Sequence, residues 1–255
     1  MINLISEILK KEFNVPFGFC SILDIERPRS SRINREGLNG AIMFIFPYNV
    51  KKQAPLNISR YAAVPDYHDI IIPRLKKVAL ILSEEFPENT FKAFADYSPI
   101  LEVKAAALAG LGVIGENGLL ITEKYGSFVF IGSILTDINF SNSSEIKHCI
   151  SCGKCKAACP VNLNKEACIS AVTQKRGDLT KEEISNINKV CSVFGCDICQ
   201  NVCPYNNEIL LTEDSDFILG YRSEYKLNED SANRAYNWRG EAIIKRNFKY
   251  LNKNI

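Results

Sequence analysis

Apolar residues recur three and four apart at the start of the chain, at Leu4, Ile5, Ile8, Leu9 and Phe13, with Glu7, Lys10, Lys11 and Glu12 between them. That spacing predicts an amphipathic helix over Met1 to Asn14 with one buried face. Phe17 to Leu23 reads as a short strand. Ala41 to Phe46 is an unbroken apolar run ending at Pro47, the pattern of a strand covered on both faces. Helical spacing returns at Ile70, Ile71, Leu75, Val78, Ala79 and Leu82, where Pro73 marks either a start or a kink. Phe91 to Ala95 is a strand with Asp96 at its end. Ser98 and Pro99, in the order cap then first helical residue, open the next helix, whose N-terminus Glu102 favours. That helix continues over Lys104 to Ala109, and Leu119 to Thr122 and Phe128 to Leu135 follow as strands.

The polar stretches divide the chain. Ile25 to Asn39 carries Arg27, Arg29, Arg32 and Arg35 and reads as a loop, either a solvated linker or a clamp for a phosphate or carboxylate. Residues 141–148 look like a linker. Glu208 to Asp230 is acid-rich, and Arg234 to Ile255 is basic, with Arg234, Arg239, Lys245, Arg246, Lys249 and Lys253 against Glu241. Tyr236, Trp238, Phe248 and Tyr250 in that tail fit two readings. They either stack on nucleic acid or dock the tail while its charges stay in water. A chain of 255 residues with 46% hydrophobic content suits one large or two modest domains. The net charge of +2 does not argue for a polyanion. No apolar run approaches the roughly 20 residues of a membrane span. The ten cysteines, without an export signal, point to a reducing cytoplasm.

Those cysteines carry the strongest signal. Cys149-Ile-Ser-Cys152-Gly-Lys-Cys155-Lys-Ala-Ala-Cys159-Pro160 is the C-x-x-C-x-x-C-x-x-x-C-P run of bacterial-type ferredoxins, whose fourth Cys ligates the other cluster. A second run, Cys196-Asp-Ile-Cys199-Gln-Asn-Val-Cys203-Pro204, has Val193 where its first Cys would stand. By the crossed-ligand rule, Cys149, Cys152, Cys155 and Cys203 hold cluster one. Cluster two takes Cys159, Cys196, Cys199 and either Cys168 or Cys191. We favour Cys168, because Lys165 to Arg176 reads as a short helix that could return toward Cys159. Cys20 and the remaining thiol are expected to be buried small hydrophobes. A zinc site or a disulfide framework would not use two such runs with trailing prolines.

Gly110-Leu-Gly112-Val-Ile-Gly115 matches G-x-G-x-x-G, but a helix precedes it and strands follow, the reverse of a dinucleotide fingerprint. The glycines offer backbone that can lie against a flat ligand, and a helix C-cap explains Gly110 equally well. Asp96, at a strand-to-helix junction, either caps the helix or does chemistry. His68, beside a helix start, reads as a structural residue.

Arg60-Tyr61-Ala62 with Asp66-Tyr67-His68, then Asp96-Tyr-Ser-Pro99-Ile-Leu-Glu102, the glycine loop, and both Cys runs together resemble the epoxyqueuosine reductase family over about residues 40–206. The resemblance implies an α+β fold: a nitroreductase-like cobalamin-binding catalytic domain (1–140), a ferredoxin-like domain with two 4Fe-4S clusters (141–210), and a C-terminal extension (211–255). It also implies an oxidoreductase that reduces epoxyqueuosine to queuosine in tRNA, with Asp96 as proton donor and Cys168 as the last ligand of cluster two. Implied cobalamin contacts are Arg60, Tyr61, Ser98, Gly110, Gly112, Gly115, Asn117 and Gly132. The implied partners are tRNA and a low-potential electron donor of flavodoxin or ferredoxin type, without a membrane. Such an acid needs burial to raise its pKa toward neutrality. With no D-x-H-x-x-G pattern, no protein histidine is expected on the cobalt.

Val113 and Glu116 stand where the family usually has Trp and Lys, and the helical-repeat domain of many members does not follow the clusters. These departures leave room for a small-molecule substrate, as in reductive dehalogenation, or for a plain electron carrier.

Overall fold

The computed structural model describes residues 1–28, 31–51, 54 and 57–252; Arg29 of the basic loop and Lys253 of the tail lie outside the described residues. The first helix, α1 (Ile2–Glu12), buries Ile5 and Leu9 and leaves Leu4 exposed, a narrower stripe than its apolar spacing suggests. The strand β1 (Phe17–Ser21) is half-buried, and β2 (Gly40–Pro47) is buried along its whole apolar run. After the single turn α2 (Arg60–Ala63), the long helix α3 (Tyr67–Glu85) continues through Pro73 without a break. Pro73 is on the exposed side, where water can satisfy the carbonyl that loses its amide partner.

The strand β3 (Phe91–Ala95) ends at Asp96, and α4 (Glu102–Leu108) begins at Glu102, not at Pro99. The residues expected to start the helix, Ser98 and Pro99, instead form a loop that is buried together with Ile100. A two-stranded hairpin follows, β4 (Val113–Ile114) with β5 (Leu120–Ile121), and then β6 (Val129–Thr136). The rest is helical: α5 (Lys154–Ala158), α6 (Ile169–Val172), α7 (Lys181–Val190), α8 (Ile198–Asn201), α9 (Ser215–Leu219) and α10 (Glu241–Asn252). The helix expected over Lys165 to Arg176 is the single turn α6. No helix of the described residues is long and apolar enough to cross a membrane.

The chain divides into two compact units. Unit 1 comprises 1–46, 68–123 and 129–149 and holds a four-stranded sheet in the order β1-β2-β6-β3. β1 runs antiparallel to β2 with Phe17 opposite Phe44, and β3 antiparallel to β6 with Phe91 opposite Thr136. One face of this sheet packs on α4, whose Ala105, Ala106 and Ala107 are buried. Close approach explains those alanines, since a Cβ on Gly18 of β1 would run into the Ala109 carbonyl. Arg27 and Arg35 of the basic loop donate to the Ile33 carbonyl and the Ile22 and Ile25 carbonyls, so they staple their own loop.

Unit 2 comprises 47–67, 124–128 and 150–255, so the segments expected as a cluster domain and a separate extension pack as one body. One of its cores joins Ile58, Ala62, Ala63, Val193, Phe194, Tyr225, Tyr236 and Ile244. Val193, at the vacant Cys position, is fully buried there. The helix α7 opens with a reciprocal capping box between Thr180 and Glu183. The C-terminal helix docks by its aromatics, and Arg234 and Arg246 donate to backbone carbonyls of Ala63, Gly220, Lys175 and Gly177. Trp238 stays exposed under the Arg239 guanidinium, which lies 3.9 Å from its ring centre.

Candidate active site and cluster ligands

In unit 1, Asp96 is the central residue of a three-residue turn. The Tyr97 amide donates to the Ala95 carbonyl at 2.9 Å, and Asp96 takes φ +66°, a sparsely populated conformation for a residue with a Cβ. Asp96 caps no helix, because α4 starts six residues later. Its carboxylate is 70% exposed, so the burial expected of the acid is not found at this residue. His68, near the start of α3, faces it with Nε2 3.8 Å from Asp96 Oδ2. Sequence reasoning treated that histidine as structural; nothing local signals that a residue 28 positions away meets it.

The buried carboxyl is Glu102. Its Oε1 is sequestered from water without a hydrogen-bond partner. Burial, and next the charge of Asp96, push Glu102 up to about 8. A carboxyl opening a helix whose next turn is three alanines was the available signal, since such a helix packs too closely to leave its first turn in water. Ser98 is buried too, with an unpartnered Oγ.

The glycine loop has local causes. Gly110 takes φ +78° and ends α4 in a Schellman pair, its amide on Ala107 O and the Leu111 amide on Ala106 O. A Cβ on Gly112 would meet the Ile121 carbonyl, and one on Gly115 would meet Asn117 Oδ1. Asn117 itself accepts the Leu119 amide and so shapes the β4–β5 turn. Gly132 is buried in β6, where a Cβ would meet Leu75, Phe46 and Ile71 of the core.

In unit 2, Arg60 and Tyr61 are also engaged by protein. Arg60 Nη1 lies 3.5 Å from Asp197 Oδ2 and donates to Asn201 Oδ1, with the guanidinium 4.9 Å over the Phe128 ring. The Arg60 amide donates to Asp197 at 2.7 Å. Burial nonetheless raises Asp197, against the lowering by Arg60. Tyr61 packs against Phe194 with ring centres 5.9 Å apart. Arg60 also lines a cavity of about 440 Å³ with Tyr48, Asn49, Val50, Lys51, Ala54, Leu211 and Tyr221.

No disulfide joins any of the ten cysteines. Cys196 is raised to about 11 by burial, with smaller contributions from Asp197, Cys168 and Cys159, so both of those thiols lie within electrostatic reach of Cys196. Cys191 caps α7 in the left-handed region, exposed, its Sγ 3.4 Å from Asn188 O; it is not the buried hydrophobe expected of the leftover thiol. Cys20 is fully buried, its thiol raised to about 12. The helices α5 and α8, which carry Cys155 and Cys199, pack together. In unit 1 the Glu116 amide points at Cys149 Sγ at 3.4 Å, as amides do toward cluster thiolates. Among the described residues no three His, Cys, Asp or Glu side chains converge on a single metal ion, and thiolates on the corners of a cube do not need to.

Comparison with known proteins adds the following. Residues 148–206 match the 4Fe-4S double cluster binding domain, so this segment binds two such clusters. Residues 33–97 match the family described as Epoxyqueuosine reductase QueG, DUF1730. An epoxyqueuosine reductase of Lactococcus garvieae is 33% identical over 214 residues, 76% of this chain and 60% of that protein. One of Aliivibrio fischeri is 36% identical over 184 residues, 68% of this chain and 48% of that protein. The chain thus spans about half to three-fifths of the length of these curated relatives. In fold it resembles the epoxyqueuosine reductase of Streptococcus thermophilus (TM-score 0.83, 24% identity, 100% of this chain and 81% of that one). It also resembles an epoxyqueuosine reductase crystallised with an epoxyqueuosine-modified tRNA stem loop (TM-score 0.83, 21% identity, 98% and 80%).

Proposed function

The chain belongs to the epoxyqueuosine reductase family, and we propose that it reduces epoxyqueuosine to queuosine in tRNA, in the cytoplasm, with electrons from a low-potential flavodoxin or ferredoxin. The observation that carries this reading is the Asp96–His68 pair, a carboxyl on a strained loop facing an imidazole in a chain that also binds two 4Fe-4S clusters. A relative's structure with a modified tRNA stem loop supports the substrate class. We read unit 1 as a nitroreductase-like fold for cobalamin, which when bound supplies a strongly reducing, nucleophilic metal centre. The buried, unpartnered Ser98 Oγ fits such a ligand, whose amide-bearing rim would satisfy it. Backbone at Gly110, Gly112 and Gly115 would contribute without side-chain interference.

Reducing an epoxide consumes two electrons and two protons. Asp96 would protonate the departing oxygen, and His68, within 3.8 Å, would hold the carboxyl and return a proton to it. A relative from Bacillus subtilis has been captured with its catalytic aspartate loop swung out of the active site, which suits an Asp96 that faces solvent here. For the clusters we propose Cys149, Cys152, Cys155 and Cys203 on one, and Cys159, Cys168, Cys196 and Cys199 on the other. The electrostatic reach of Cys159 and Cys168 to Cys196 supports the second set.

Asp96→Asn is expected to retain iron and cobalamin and to lose conversion of an epoxyqueuosine-modified stem loop. An active variant reassigns the proton donor. Failure of the anaerobically reconstituted wild-type chain to retain cobalamin would leave an electron carrier.

A further inference from the structure

Asp197 stands between two thiols of the second cysteine run, Cys196 and Cys199, with its side chain 9% exposed. It is the N-cap residue of α8, where an Asp ordinarily accepts a helix amide, yet its side chain makes no cap bond. It is turned to Arg60 instead. Oδ2 accepts the Arg60 amide at 2.7 Å and faces the guanidinium, whose Nη1 is 3.5 Å away. Oδ1 accepts Gln200 Nε2 at 3.1 Å. Arg60 Nη1 also donates to Asn201 Oδ1, and the guanidinium lies 4.9 Å over the Phe128 ring. Gln200 in turn accepts the Ser127 hydroxyl at 2.9 Å. The polar residues spaced between the thiols of this run thus all reach outward, Asp197 and Asn201 to Arg60 and Gln200 to Ser127.

From this geometry we propose that Arg60 is a positioning residue for the cluster that Cys196 and Cys199 hold: its guanidinium cancels the Asp197 charge and pins the run, which keeps that cluster able to accept an electron. This rests on the ligand set proposed above. The physical reason is charge. A 4Fe-4S cluster becomes more negative on reduction, and its potential follows the net charge and burial around it. A carboxylate held between two of its ligands without a counter-charge would oppose that reduction, and burial weakens the screening that water would give. Arg60 supplies the counter-charge, and Asn201 and the Phe128 face replace part of the hydration that its guanidinium gives up. The electron comes from the reduced flavodoxin or ferredoxin, which is oxidised as the cluster is reduced, and no bond at Arg60 or Asp197 forms or breaks.

The test is an EPR redox titration of the anaerobically reconstituted holoprotein, read without substrate. Arg60→Gln is expected to move the midpoint of one cluster to lower potential, to leave the other in place and to keep the wild-type cobalamin content. Arg60→Lys retains the charge and should stay near the wild type. Asp197→Asn should move the same midpoint upward, and the double variant should return close to the starting value. Unchanged midpoints in Arg60→Gln overturn the proposal. So does an equal downward shift in Arg60→Lys, which would make the role one of shape and not of charge. Loss of cobalamin with both midpoints unchanged would return Arg60 to the corrin. If Arg60→Gln does not hold both clusters, Asp197→Asn decides, and a wild-type midpoint there refutes the charge argument. A chain that shows these shifts but leaves the modified stem loop unreduced keeps the role of Arg60 and loses the proposed substrate.

Discussion

Replacing Glu102 by Gln should stabilise unit 1, and by an amount that grows with pH. In the folded chain Glu102 sits at about 8, against 4.5 for an ordinary glutamate. A group raised on folding gives its full contribution below the unfolded value and loses it as pH climbs through the folded one. The window is therefore 4.5 to 8, within which the native state holds a proton that the unfolded chain has released. Between about pH 6 and pH 8 the wild type should lose about 2 kcal/mol that Glu102→Gln does not, at ~1.4 kcal/mol per unit with the slope flattening near the folded value. Hydrogen exchange at Ile134 and Leu135, fully buried in β6, reads the opening of unit 1 independently of unit 2. The opening free energies of the two proteins, corrected for intrinsic exchange rates, should diverge by that amount over the interval. Parallel pH dependence would mean that Glu102 is ionised in the folded state and that its carboxyl is open to water.

Two further outcomes concern unit 2. Cys168→Ala should lose roughly half the iron of the reconstituted protein, one 4Fe-4S cluster of two, whereas Cys191→Ala should keep all of it; iron analysis with EPR of the reduced protein decides, and the opposite pattern makes Cys191 the ligand. Arg60→Ala strands Asp197, whose side chain is only 9% exposed, and should cost roughly 3 kcal/mol of unit 2 stability in urea; Asp197→Asn added to it should recover much of the loss, and an additive double variant would show that the two do not pair.

What the sequence made legible follows the range of the interactions involved. β2 falls where its unbroken apolar run puts it, because burial on both faces is written into consecutive residues. The cluster segment is equally local, since thiol spacing alone encodes how a chain wraps an inorganic cube. The division into units was hidden, because 47–67 and 124–128 join 150–255 through contacts such as Ile58 with Phe194 and the Ser127 amide with Asn206. The engagement of Arg60 was hidden for the same reason: its partner Asp197 stands 137 positions away.

The active-site loop shows why a carboxyl's role cannot be read from its neighbours in the chain. Asp96 and Glu102 both stand out in the sequence, and Ser98-Pro99 between them spells a helix start that would have made Asp96 a flank and Glu102 a first-turn charge in water. Packing overrides that local preference. The buried alanines of α4 and the close approach at Gly18 draw the helix onto the sheet, so that Ser98, Pro99 and Ile100 are buried as loop and the helix begins at Glu102. Asp96, for which burial is expected, is 70% exposed, while Glu102 is raised to about 8. Paired carboxyls held in contrasting surroundings are how one fold keeps an acid protonated beside a mobile partner. Here the contrast follows from three alanines and a glycine that carry no chemistry of their own.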